Sequence, residues 1–415
     1  MRREAHSRSA EMCYIFRRAM TPPTRTHIPQ LDLRAQYTAL KPEIEAALAR
    51  VLASQRFILG PEGEALEREL ADYCGVPHAI GCASGSDALL LALVTLGVTH
   101  EHDVLTVPFT FFATAGAVAR LGARAVFVDI EPRTFNLDPE KLRAHLRAMD
   151  SGTRRRCRAL IPVHLFGQPA DMDAINEIAA EFDLPVIEDA AQAIGADYKG
   201  RRVGSLGRVG CFSFYPTKNL GAFGDAGLVT ATDSTLAGRL RAMSRHGCTH
   251  DKYHHDHVGW NARLDELQAT VLRVKFRHLE DWNRARIAAA DRYDQLFVEA
   301  GLADSKKTHP NEKHPVVIPY RASGRRHVFH QYVIRAHDRD ALKKFLTEEG
   351  VGTEVYYPLP LHLQSCFHAW GGHEGDFPEA ERAAREVLAL PIYPELTPDQ
   401  QSYVADRIAA FYHRR

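Results

Sequence analysis

Lys218 lies between two apolar, β-rich runs, Val209 to Tyr215 and Leu228 to Thr232. Pro216 has no N–H for a sheet ladder and ends the first run. Gly221, Gly224 and Gly227 supply the turn before the second. A lysine held at a strand end among small residues suits Schiff-base chemistry, which needs a neutral amine aimed at a carbonyl. The same pattern also fits a surface lysine on a hairpin loop. Asp189 closes another strand, in Ile187-Glu-Asp-Ala-Ala-Gln192. A carboxylate there can keep a heteroaromatic nitrogen protonated, or merely cap a helix. Ser84, Gly85 and Ser86 follow a strand and open a helix. Their N–H groups and hydroxyls make a phosphate site at the positive end of a helix dipole, although a plain serine cap reads the same way. The turn is not GxGxxG and no Walker lysine follows, which argues against a dinucleotide or nucleoside triphosphate. In Pro108-Phe-Thr-Phe-Phe-Ala113 we assign Phe111 to the face of a planar ring, and Phe109 and Phe112 to the core.

In chain order these are a phosphate loop, an aromatic, an acid and a lysine, and together they describe a pocket for pyridoxal 5'-phosphate (PLP). Lys218 would hold the aldehyde, Asp189 the ring nitrogen, the Ser84–Ser86 turn the phosphate and Phe111 a ring face. Two further residues stand near strand or helix ends. His164 ends a strand on the ligand side, or is a hydrogen-bonded core histidine. Arg245, in Arg245-His-Gly247, is a candidate diphosphate ligand, or part of a helix end closed by glycine. Tyr253-His-His-Asp-His257 has metal-ligand side chains, but consecutive residues do not converge on one point. It is read as a flexible loop near the substrate, with no metal.

The elements that must position these residues alternate. Strand patterns at 78–82, 104–107, 125–129, 159–165, 186–188, 209–215 and 228–232 are mostly separated by helix patterns, for instance Asp87 to Leu96, Ala113 to Leu121, Pro139 to Met149 and Met172 to Phe182. Such alternation predicts an α/β fold, a mostly parallel seven-stranded sheet covered by helices, with ligands at the carboxyl ends of the strands. A long helical pattern from Leu264 to about Val298 leads into a smaller α+β domain. There, Val328 to Arg335, Ala341 to Glu349 and Thr353 to Tyr357 read as strand, helix and strand, with helices near Glu379 to Leu388 and Pro398 to Phe411. The expected division is an N-terminal extension (1–26), a large cofactor-binding domain (27–280) and a small C-terminal domain (281–415).

The chain has 415 residues, with 52 basic and 52 acidic side chains, so nothing marks it as a nucleic-acid binder. No apolar run is long enough to span a bilayer. Met1 to Arg18 is Arg-rich without the apolar centre of a secretion signal, and is read as a disordered tail. Seven scattered cysteines without a CxxC pair read as reduced thiols in the cytoplasm.

The chain resembles the DegT/StrS-type sugar aminotransferases, fold-type-I PLP enzymes of the aspartate aminotransferase superfamily. The resemblance runs from about Ile28 to the C-terminus. It is carried by Ala83-Ser-Gly-Ser-Asp-Ala-Leu89, Pro108-Phe-Thr-Phe-Phe-Ala-Thr-Ala115, Pro162-Val-His-Leu-Phe-Gly167, Ile187-Glu-Asp-Ala-Ala-Gln192, Phe212-Ser-Phe-Tyr-Pro-Thr-Lys-Asn219 and Trp260-Asn-Ala-Arg-Leu-Asp-Glu-Leu-Gln268. Ser86 stands where the family usually has Thr, which keeps the hydroxyl. The resemblance implies that Ser213 joins the phosphate site, that Gln192 lies beside the ring, and that Asn261 reaches the phosphate of a neighbouring subunit. From sequence alone Asn261 reads only as a helix cap. The resemblance also implies homodimers with two shared sites, glutamate or glutamine as amino donor, and a keto-sugar nucleotide as acceptor. Tyr215 and Tyr357, the latter in Tyr356-Tyr-Pro-Leu-Pro-Leu-His362, are further candidate substrate contacts. Dehydratases on the same fold replace the Schiff-base lysine, whereas Lys218 is present here. A PLP-binding regulator is the non-catalytic alternative, though no segment resembles a DNA-binding domain.

Overall fold

The computed structural model describes residues 27–249, 253–304 and 307–413. The expected N-terminal extension, residues 1–26, lies outside them. In chain order the first elements are α1 (Leu33–Ser54), α2 (Pro61–Cys74), β1 (His78–Cys82), α3 (Gly85–Thr95), β2 (Asp103–Thr106), α4 (Ala113–Arg120), β3 (Arg124–Phe127), α5 (Pro139–Ala148), β4 (Cys157–Leu160), α6 (Met172–Glu181), β5 (Ile187–Asp189), β6 (Val209–Ser213) and β7 (Gly227–Ala231). Then follow α7 (Ser234–Met243), α8 (Glu266–Phe276), α9 (Leu279–Glu299), β8 (Val316–Val317), β9 (Tyr332–Ala336), α10 (Arg339–Glu348), α11 (Pro378–Glu386), β10 (Val387–Leu390) and α12 (Pro398–His413).

The large sheet has two hydrogen-bonded parts, β1-β7-β6-β5 and β4-β2-β3. Parallel bridges at Leu160–Val186 and Val163–Asp189 join them. The seven strands therefore run in the order β1-β7-β6-β5-β4-β2-β3. Only β7 is antiparallel to its neighbours. Most of these strands are buried on both faces, as a parallel sheet between helix layers requires. Helix α3 is buried almost all round, from Ala88 to Leu93, because it packs between the sheet and its neighbours. Its start is set by Ser84, whose hydroxyl oxygen accepts the Asp87 N–H at 3.1 Å. Helix α2 begins with Pro61 and ends at Gly75, at φ 70, the usual proline-in, glycine-out pattern.

Beyond α9, β8, β9 and β10 form a separate antiparallel sheet with its own apolar cluster around Tyr293, Phe297, Tyr332 and Leu388. Ile28 is part of that cluster.

Four expectations are corrected. The helical pattern from Leu264 to Val298 is two helices, with Arg277 and His278 between them. The third strand of the small sheet is Val387–Leu390, which the alanine-rich pattern disguised as helix. A short apolar run before a proline does not by itself distinguish the two. Thr353 to Tyr357 makes only one bridge, Glu354 to Ala389. Asn261 caps no helix: the Asp265 carboxylate accepts the Gln268 N–H at 2.8 Å and starts α8.

Glu266 shows how α8 is tied to the large sheet's layer. Its carboxylate, 1% exposed, accepts the N–H groups of Gly60, Glu62 and Gly63 at 2.9, 2.8 and 3.0 Å. These are donors at the start of α2, which has no side-chain cap of its own. We expect Glu266→Ala to strand them and lower unfolding free energy by about 3 kcal/mol, read as a fall in urea midpoint at unchanged slope.

Candidate active site

Asp189 and Lys218 come from adjacent parallel strands. Asp189 is the last residue of β5, opposite Cys211 of β6, and Lys218 sits in the turn after β6. That turn is closed by its own backbone. Lys218 N–H donates to Tyr215 O at 2.8 Å, and Ala222 N–H to Phe214 O at 2.8 Å.

Asp189 is 4% exposed. Its Oδ2 accepts the Thr114 hydroxyl at 2.8 Å, and its Oδ1 accepts the Ala191 N–H at 3.2 Å. The Thr114 hydroxyl also lies 3.0 Å from that of Thr110. Burial holds the carboxyl above the usual range, partly offset by these donors and by Lys218. Burial likewise lowers Lys218 to about 8, against the opposing pull of Asp189. The two groups sense each other's charge but form no ion pair.

Gln192 ties this centre to the C-terminal half. Its Oε1 accepts the Phe166 N–H at 2.7 Å, and its Nε2 donates to the Tyr357 hydroxyl at 3.0 Å. Phe166 has φ 59, a left-handed conformation that a large side chain adopts only when its surroundings impose it. The Tyr357 ring lies 6.1 Å from those of both Phe109 and Phe111. Phe111 is 56% exposed, free to cover a ligand, whereas Phe109 is core. Phe112 is not core as expected: it is half-exposed and stacks on Phe367 at 5.4 Å.

The Ser84 turn packs against the ends of β6 and β7. A Cβ at Gly85 would lie 2.5 Å from the Ser213 Cβ, and one at Gly227 would lie 2.4 Å from Ser84 O. Only glycine lets these three segments approach so closely. The N–H groups of Gly85 and Ser86 open α3, where no intrahelical acceptor exists. Ser213 is beside them.

The remaining candidates separate. His164 is fully buried. Its Nδ1 accepts the Ala170 N–H at 3.0 Å, so its Nε2 carries the proton donated to Glu188 at 3.0 Å. Both ring nitrogens are occupied inside the protein, which corrects the substrate-contact reading to that of a core histidine. Tyr215 is exposed at the mouth of the lysine turn. Arg245 and Asn261 face each other across an antiparallel bridge, and the Asn261 segment runs beside the Ser84 turn through Ala83 N–H to Ala262 O at 3.2 Å. Arg245 is half-buried, its guanidinium lowered by burial and then by the neighbouring Arg241 and Arg263. Asn261 is exposed. Residues 253–257 are all exposed, and Asp251 and Lys252 of that loop lie outside the described residues. Among the described residues no three His, Cys, Asp or Glu converge as a metal site. A cavity of about 530 Å³ between Arg133, Tyr320 and Arg335 includes none of the candidate residues.

Sequence reasoning missed Thr114, although it lies in the quoted Pro108–Ala115 stretch, and missed His330 and Asn219 behind Lys218. The Asn219 carbonyl oxygen accepts the His330 Nδ1–H at 3.2 Å. Burial, then the positive charges of Lys218 and Arg286, hold His330 well below the ordinary histidine value, so it is neutral. A buried histidine 112 positions away from Lys218 has no local signal.

These residues fit PLP. Asp189 is a buried carboxylate short of positive charge, which a protonated ring nitrogen supplies. Lys218 is an amine that burial makes easier to deprotonate than an ordinary lysine, and the Ser84–Ser86 turn with Ser213 presents N–H and hydroxyl donors to an anion. A mostly parallel seven-stranded sheet carrying this set at its carboxyl edge defines a fold-type-I, PLP-dependent aminotransferase. Residues 38–409 match the model of the DegT/DnrJ/EryC1/StrS aminotransferase family, and the chain belongs to that family. It is 50% identical to a protein named pleiotropic regulatory protein from Geobacillus stearothermophilus, over 93% of this chain and 99% of that one. It is 42% identical to a UDP-N-acetyl-3-dehydro-alpha-D-glucosamine 3-aminotransferase from Acidithiobacillus ferrooxidans, over 94% and 99%. Among solved structures, Streptomyces venezuelae DesV in complex with a ketimine intermediate superposes with a TM-score of 0.86 at 42% identity, covering 94% of this chain and 99% of that one.

In the cofactor-free protein Lys218 should acylate with a midpoint at about pH 8, against 10.5 for an ordinary lysine. The sign follows from burial: the folded site disfavours the cation, so the amine is free at lower pH than in the unfolded chain. Trace labelling across pH with peptide mapping reads it; a midpoint near 10.5 would refute it.

Proposed function

We propose that this protein transfers an amino group from glutamate or glutamine to a keto-sugar nucleotide, as a homodimer with two shared sites. The observation that carries this reading is the buried Asp189–Lys218 pair, close enough to interact and kept from pairing. The sugar-nucleotide class is supported by the relatives' names.

Bound PLP supplies an electron sink for the electron pair left when a proton leaves the donor's α-carbon. The residues divide the remaining work. Lys218 Nζ would anchor the cofactor at rest and, once released as a neutral amine, would take the proton from that α-carbon and, in the second half-reaction, deliver a proton to the carbon of the keto sugar that receives the amine. The Asp189 carboxylate keeps a proton on the ring nitrogen. Gly85 and Ser86 N–H groups and the Ser86 and Ser213 hydroxyls bind phosphate, while the Ser84 hydroxyl, expected there too, donates instead to Asp87 Oδ2 at 2.9 Å and holds the start of α3; Phe111 covers the ring. Gln192 fixes the Tyr357 hydroxyl beside the ring and substrate. Tyr215 and Arg245 are retained as substrate contacts at the site's mouth and rim. The two-domain division near residue 280 belongs to this reading, supported by the separate small sheet and its cluster. So does a cytoplasmic location. No described helix is long and apolar enough to cross a membrane, and Cys74, Cys82, Cys157 and Cys211 are buried free thiols.

The regulatory name of one relative favours a second reading, binding without turnover. Incubation with glutamate and UDP- or dTDP-linked keto sugars separates the two. Amine transfer to a sugar supports the enzyme. Its absence across the panel, with cofactor bound, favours the regulator.

Borohydride reduction of the loaded protein should label Lys218, and Asp189→Asn should retain cofactor while losing at least about a hundredfold in turnover, since an amide holds no proton on the ring. A label on another lysine, or near-normal turnover of the variant, would overturn the assignments.

Asn261 tests assembly. In a two-fold dimer an exchanged contact is reciprocal. Lys218→Ala and Asn261→Ala subunits, each inactive alone, should therefore regain activity when mixed, because one site of the mixed dimer carries both lesions and the other neither. Exchanged subunits, proven by mass, that stay inactive would place Asn261 in its own subunit's site.

A further inference from the structure

Three side chains on the helices behind the Lys218 turn bind it at alternate residues. The Gln268 Oε1 on α8 accepts the Phe223 N–H at 2.8 Å. Lys275 Nζ, also on α8, donates to Gly221 O at 2.7 Å. The Asn283 Oδ1 on α9 accepts an Asn219 Nδ2–H at 2.8 Å. Gln268 and Lys275 are about two turns apart on one face of α8, and Asn283 lies on the first turns of α9, just beyond the break between the two helices. Numbers rise along the helices as they fall along the turn. Lys275, Asn283 and Asn219 are all buried, at 2%, 0% and 4% exposure. Asn219 is saturated: it also donates to Val328 O at 3.1 Å and receives the His330 Nδ1–H. Lys275 faces the Phe223 ring, 5.0 Å away, and the charge of Glu395. Lys218 itself faces Asp189 and His330.

The turn needs such support. Gly221, Gly224 and Gly227 give it more freedom than any other composition would. Gly221 is also pressed onto Pro216, whose carbonyl oxygen would lie 2.3 Å from an added Cβ. A buried carbonyl left without a donor moves to find one, and here that motion would carry Lys218 with it.

We propose that Lys275 and Asn283 are positioning residues for Lys218, holding Gly221 O and the Asn219 side chain so that the amine is presented toward the Asp189 end of β5. This rests on the reading of Lys218 as the cofactor-bearing lysine. Neither residue touches the reacting atoms.

The test uses Lys275→Met, Asn283→Ala and Lys275→Arg, the last retaining a donor. In cofactor-free protein the acylation midpoint of Lys218 should rise by about one pH unit in the first two, because a loosened turn lets the amine reach water. It should return toward the parent value in Lys275→Arg. In loaded enzyme kcat should fall about tenfold, with KM for the amino donor within about twofold. An unmoved midpoint in variants with native circular dichroism and cooperative melting overturns the proposal, as does Lys275→Arg behaving like Lys275→Met. If Lys275→Met fails to fold, Asn283→Ala and Gln268→Ala are read by the same criterion. The labelling needs no cofactor, so a borohydride label on another lysine would overturn the functional reading while leaving this result interpretable.

Discussion

Two opposite charges buried within reach of one another would ordinarily pair, and here the backbone keeps them apart. Asp189 ends β5 and Lys218 follows β6, and the parallel register fixes both points. Direct pairing would satisfy each group and leave neither for chemistry. Separation leaves a carboxylate held up and an amine held down by burial. The glycines at 85 and 227 belong to the same constraint, since they let the anion-binding turn reach the ends of the strands that carry the lysine.

Glu188 and Asp189 show how one strand assigns two carboxylates to different tasks. Successive side chains point to opposite faces. Glu188 receives the N–H groups of Gly204, Leu206 and Gly207 at 2.8, 2.7 and 2.7 Å and the His164 Nε2–H at 3.0 Å. That carboxylate is saturated and organises the loop between β5 and β6. Asp189 accepts only a hydroxyl and one distant N–H. The difference in donor supply, not in residue type, makes one carboxylate structural and leaves the other available. It also draws His164 into the core.

The parts of the site legible in the sequence are those whose cause is local. Pro216 ends a strand, glycines make a turn, and a Ser-Gly-Ser follows a strand. Each leaves its mark within a few residues, and the strand–helix alternation fixes which ends gather. What was not legible depends on contacts between distant segments. Asn219 meets Asn283 and His330 across 64 and 111 positions, and nothing near any of them announces it. Phe112 reads as core by type yet lies half-exposed on Phe367. The Val387–Leu390 strand is a four-residue apolar run whose partner, β9, decides its state. Asn261 looked like a cap because polar residues before helices often are, while Asp265 four residues later does that work.

Lys218 and Lys275 are the same residue type with the same depression, each brought from 10.5 to about 8 by burial. Each unit is worth about 1.4 kcal/mol, so each lysine costs the fold about 3 kcal/mol at neutral pH. The penalty fades as pH rises from about 8 through the ordinary lysine value, where the unfolded chain also loses its proton. Lys275 recovers part of its cost through a short bond to Gly221 O. Lys218 Nζ hydrogen-bonds no described residue, and Asp189 acts on it only through space. A fold that had only to be stable would replace such a lysine with an apolar side chain. Retaining it, in a turn that the buried Lys275 and Asn283 hydrogen-bond from behind, is the arrangement expected when the amine's reactivity matters more than its contribution to stability.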